Sequence, residues 1–127
     1  MEETGVAKIT ISGVDSEVGL ALFGGEVEDY IFILRSYAAN TPGVLDQLLE
    51  PSSENLETFG VAVHGLKSLS RSVGATEIAD RAFDLELKAK AGKLNEVMAL
   101  YKAFIDDVTI LVQNITEWLD GHTDGEE

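Results

Sequence analysis

The feature that most constrains this chain is the spacing of its apolar residues. Leu94, Val97, Tyr101, Phe104, Val108, Leu111, Ile115 and Trp118 alternate steps of three and four, and Met98, Ile105, Val112 and Leu119 form a second stripe beside them. Residues so spaced share one side of an α-helix and ask to be buried there. The pattern predicts one long helix from about Leu94 to Asp120 with a wide buried face, stopped by Gly121.

The same period runs back through most of the chain. Thr76 is placed to cap, and Gly92 to end, a helix whose inner face carries Ile78, Ala82, Leu85 and Ala89. Asn55 or Ser53 is placed to cap a helix with Leu56, Phe59, Val63, Leu66 and Val73 on its stripe, Ser70 among them, ending at Gly74. From Glu26 to Glu50 the register of Val27, Tyr30, Ile31, Leu34, Tyr37, Ala38, Leu45 and Leu48 crosses Pro42 without a phase break. A proline inside a helix costs about 3 kcal/mol, so the expectation is one long helix kinked near Asn40 to Gly43, with two shorter helices as the alternative. A short helix capped by Asp15 and stopped by Gly24-Gly25 precedes it. Period-two alternation is confined to Ala7 to Ser12.

With 127 residues the chain suits one core rather than two. Amphipathic helices joined by short connections bury their stripes by packing against sequence neighbours in opposite directions. The expected fold is therefore all-α: an antiparallel up-down four-helix bundle over residues 11–120 with a short additional N-terminal helix. Residues 1–10 and the acidic stretch 121–127 are expected as flexible tails. Tyr30, Tyr37, Phe59, Phe104 and Trp118 are read as core or core rim.

Composition excludes several functions. The chain has no cysteine and only two histidines, His64 and His122, so thiol chemistry is absent and metal binding disfavoured. A formal charge of -14 repels nucleic acid and anionic lipid. No apolar run is long enough to span a bilayer, and the N-terminus lacks the form of a signal peptide. The expectation is a cytoplasmic, monomeric protein without a cofactor of its own.

On the helix from Leu56 to Val73, Glu57, Gly60, His64, Lys67, Ser68 and Arg71 fall opposite the apolar stripe. His64 is thus expected at mid-helix and exposed, with Gly60 and Ser68 one turn away on either side leaving room for a second protein. A neutral imidazole offers a nitrogen lone pair without a separate base. A phosphoryl group in transfer needs cations near its equatorial oxygens and an open in-line path. Lys67 and Arg71 supply charge on that face, and Ser68 a hydroxyl donor.

The run from His64 through Leu66, Lys67, Ser68 and Ser70 to Gly74-Ala75 resembles the signature of histidine-containing phosphotransfer (HPt) domains. The similarity extends upstream through Gly19 to Gly25 and Tyr30, and downstream through Ile78-Ala79, Leu85-Glu86, Ala89 and Gly92, covering about Ile11 to Leu119. The resemblance implies that His64 is phosphorylated, that Lys67 helps hold the phosphoryl group, and that the domain docks on receiver domains of response regulators or hybrid sensor kinases. Mg²⁺ then belongs to the receiver, and the chain is a phosphocarrier without autonomous catalysis. Ser68 stands where many members have glycine, and Leu69 where a small residue is usual.

Two rival readings share the fold: an HPt-like interaction module that passes nothing, and a phosphoacceptor served directly by a separate ATP-binding kinase domain. Glu86 lies close to the inner face of its helix and is expected to make an inter-helix hydrogen bond, with Arg71, Arg81 or a backbone group as candidate partners. His122 falls in the acidic tail and is given no role.

Overall fold

The computed structural model describes residues 9–48 and 50–123. All regular structure among them is helical: α1 (Ser16–Leu22), α2 (Val27–Gln47), α3 (Leu56–Ser72), α4 (Thr76–Lys90) and α5 (Leu94–Thr123). The fold is bundle-like. α2 packs on α3 and α5, α4 packs on α3 and α5, and α1 lies against α2 and α3, with α3 and α4 the most intimate pair. None of the described helices is long and apolar enough to cross a membrane.

The stripes meet in one core. Leu56, Phe59, Val63, Leu66 and Val73 from α3 and its end, Ile78, Ala82, Leu85 and Ala89 from α4, and Val97, Phe104, Val108, Leu111 and Ile115 from α5 are all buried. Tyr30 and Tyr37 enter it from α2 and find polar partners there, as buried phenols must. The Tyr30 hydroxyl donates to the Val73 carbonyl at 2.7 Å, and the Tyr37 hydroxyl pairs with Ser70 Oγ at 2.8 Å. Trp118 packs on the core from its rim.

Helix ends follow local chemistry with some departures. Asp15 Oδ1 accepts from Val18 N at 3.2 Å and caps α1, and Gly24, Gly25, Gly74 and Gly92 take positive φ where the chain turns. Asn55 sits at the cap position of α3, yet its side chain turns back to bind Ser52 N and the Glu50 carbonyl, bracing the preceding loop. Thr76 opens α4 rather than capping it, because Ala75 N already donates to the Ser70 carbonyl across the Gly74 turn. α2 is a single helix with Pro42 inside. Gly121 does not stop α5, which runs to Thr123; without a turn to make, a glycine accepts helical geometry at about 1 kcal/mol. Ile9, assigned from sequence to the N-terminal tail, is buried with Ile11. The Ala7 to Ser12 alternation thus sends two isoleucines into the core without forming a strand among the described residues; Ala7 and Lys8 lie outside those described.

Candidate functional site

His64 sits in the middle of α3, and its side chain is 56% exposed. The same turn of helix puts Val63 and Leu66 fully into the core, so the backbone carrying the imidazole is fixed from beneath. Gly60, one turn earlier, is buried rather than exposed: a Cβ there would lie 3.4 Å from the Ala89 Cβ. Its smallness serves the close approach of α4 instead of opening space for a partner. On α3 it is Gly65 that has open space around it, and Ser68 and Glu57 are exposed.

The close approach of α4 brings Glu86 under the histidine. Glu86 Oε2 is 2.8 Å from His64 Nδ1, and Oε1 accepts from Lys67 Nζ at 3.0 Å. Lys90, one turn along α4 in the favourable Glu-to-Lys order, comes to 3.2 Å of Oε2. The carboxylate is only 4% exposed. Burial alone pushes its pKa up, but hydrogen bonds from Lys67, Lys90 and His64 outweigh this and hold it at about 2. An ionised carboxylate only accepts hydrogen bonds. Nδ1 is therefore the donor of this pair, and in the neutral imidazole the lone pair is left on Nε2, the nitrogen away from Glu86.

Lys67 is less free than its place on the helix suggests. Its side chain is 11% exposed, with Nζ held by Glu86 and lying 4.8 Å from the Phe83 ring centroid. Arg71 is exposed and does not join His64; its guanidinium lies over the same ring, Cζ at 5.9 Å. Glu86 makes the expected inter-helix hydrogen bond, but to His64 and Lys67 rather than to Arg71, Arg81 or backbone. Arg81 instead pairs with Asp107 at 2.8 Å. A groove of about 680 Å³ opens beside His64, with Leu56, Ala89 and Glu86 buried in its lining and Glu57, Val61 and Lys90 exposed around it. Among the described residues no group of three or more His, Cys, Asp or Glu side chains is placed to hold a metal ion. The side chain of His122 lies outside those described.

Sequence reasoning assigned no role at the site to Lys90, Phe83 or Glu86. The signal for Glu86 was present: a lone carboxylate four residues after the buried Ala82 and three before the buried Ala89. What it lacked was the register of α4 on α3. No family model matches this chain, and neither a curated protein nor a solved structure matches it significantly.

Proposed function

We propose that this chain is a histidine phosphotransfer domain, in which α2 to α5 run as an antiparallel up-down four-helix bundle with α1 as the short additional helix. It accepts a phosphoryl group on His64 from a receiver-domain aspartate and passes it to another receiver. One observation carries the reading: a half-exposed imidazole whose inner nitrogen is bound to a buried, ionised carboxylate. That arrangement prepares the outer nitrogen as a nucleophile.

In the proposed step the Nε2 lone pair attacks phosphorus in line. The bond from phosphorus to the receiver's aspartyl oxygen breaks, and its electron pair leaves with the carboxylate. The proton stays on Nδ1, and Glu86 balances the positive charge that the ring acquires. Lys67 and Lys90 reach the phosphoryl oxygens from either side of the ring by releasing one hydrogen bond each to Glu86, and Ser68 offers its hydroxyl one turn on. Mg²⁺ and the acidic pocket stay with the receiver.

The test mixes the protein with a phosphorylated receiver and follows label that is stable in alkali and lost in acid. His64→Gln should abolish it while helicity and melting stay nearly unchanged; labelling that persists in this variant contradicts the proposal.

A further inference from the structure

The cations beside His64 differ in one respect. Lys67 and Lys90 are both paired with Glu86. Arg71 is not: among the described residues no carboxylate oxygen lies within 4.0 Å of it, in a chain with 23 acidic residues against nine Lys and Arg. Its guanidinium rests on Phe83, which is 41% exposed. A ring contact at 5.9 Å takes up none of the guanidinium N–H donors, which stay open to other partners.

Arg71 lies two turns beyond His64 on α3, roughly 10 Å along the axis. Lys67 and Ser68 lie between them on the same face of the helix, and Ser68 is exposed. Beside Phe83 the guanidinium does not join His64 or Glu86 and is open to what docks over this face.

We propose that Arg71, seated on Phe83, is a partner-selecting contact. It receives a carboxylate on the docked receiver domain, roughly 10 Å from the aspartate that exchanges with His64. The inference rests on the phosphotransfer reading and goes further by naming what a receiver must present. The charge pattern supports it: a molecule with formal charge -14 repels an acidic surface almost everywhere, so a cation without a carboxylate partner on the reactive face sets both orientation and choice of partner. Phe83 flanks the contact with apolar surface that partly excludes water. A planar guanidinium is shaped to close a two-pronged bond to a carboxylate.

The experiment separates docking from chemistry. Wild type, Arg71→Glu and Arg71→Lys are labelled from phosphoramidate, a donor too small to dock, and from a panel of purified receiver domains charged with acetyl phosphate. With the preferred receiver, Arg71→Glu should raise the half-saturating concentration about tenfold. The change should fall on that concentration, with little on the rate at saturation or on labelling by phosphoramidate. Added salt should shrink the difference, Arg71→Lys should restore part of it, and receivers with a basic residue at the facing position should improve against Arg71→Glu. Unchanged half-saturation across the panel overturns the proposal, as does an equal loss with phosphoramidate, which would put Arg71 at the phosphoryl group. Failure of wild type to take label on His64 from phosphoramidate or any receiver overturns both readings.

Discussion

Nδ1 of His64 lies 2.8 Å from Oε2 of Glu86, so a buried carboxylate on α4 decides which nitrogen of an exposed imidazole on α3 faces outward. The helices meet closely enough for this because Gly60 faces Ala89 where their surfaces touch. The nucleophile of the proposed reaction is therefore a property of the α3–α4 contact as much as of the histidine.

Replacing Glu86 by glutamine keeps the shape and removes the charge. The imidazole loses its fixed tautomer and its counter-charge in the transferred state, so phosphoryl transfer to His64 should slow by about 10- to 100-fold, by analogy with the loss of a carboxylate that orients a metal-bound histidine. Stopped-flow or quench measurement with a saturating phosphorylated receiver checks this. A rate within about twofold of wild type would remove Glu86 from the mechanism.

Glu86 also links stability to pH. Its folded pKa of about 2 lies below the ordinary 4.5, so the native state binds the proton less readily than the unfolded chain. The stabilisation is fully present above about pH 4.5 and is lost as pH falls toward about 2. Urea titrations across that window should show Glu86→Gln with a shallower loss of stability than wild type; parallel curves would contradict the assignment.

Glycine serves packing at one site and only openness at another. A Cβ at Gly19 would run into the Tyr30 ring, whereas one at Gly65 would meet nothing within 4 Å. Gly19→Ala should destabilise by about 1–3 kcal/mol through overpacking. Gly65→Ala should stabilise by up to about 1 kcal/mol, since the helix then gains a better former. Chemical denaturation of the two variants gives both signs.

Tyr30 makes the equivalent link at the other end of the pH scale. Burial, and then the charge of Asp15, push its pKa up to about 12. A raised value means that the contribution is whole below about pH 10 and is lost as pH rises through about 12. Tyr30→Phe should cost about 1–2 kcal/mol at neutral pH by leaving the Val73 carbonyl without its donor. Its melting temperature should fall less than that of wild type between pH 10 and 12.

What the sequence made legible was periodicity. The main stripes of α3, α4 and α5 predict their buried faces, although on the second stripe of α5 Met98 is exposed and Ile105 and Val112 are only half-buried because α5 turns that side away from its neighbours; Asp15, Gly74 and Gly92 mark ends where local chemistry decides. Gly121 and Thr76 misled because a glycine or threonine permits a terminus without requiring one. Ile9 was hidden because an extended segment buries its alternate residues without the regular partner that would announce it. At the site, the exposure of His64 followed from its helix alone. The burial of Gly60 and Lys67, the grip of Glu86 and the platform of Phe83 depend on how α3 and α4 register, which neither helix encodes by itself.

The most direct test is the protonation and phosphorylation state of the His64 ring, read by ¹⁵N and ³¹P NMR before and after transfer from a receiver. The account predicts a proton on Nδ1 in the resting protein and phosphorus on Nε2 afterwards, with Nδ1–H retained against Glu86. A resting proton on Nε2, or phosphorus on Nδ1 or on another residue, would contradict it.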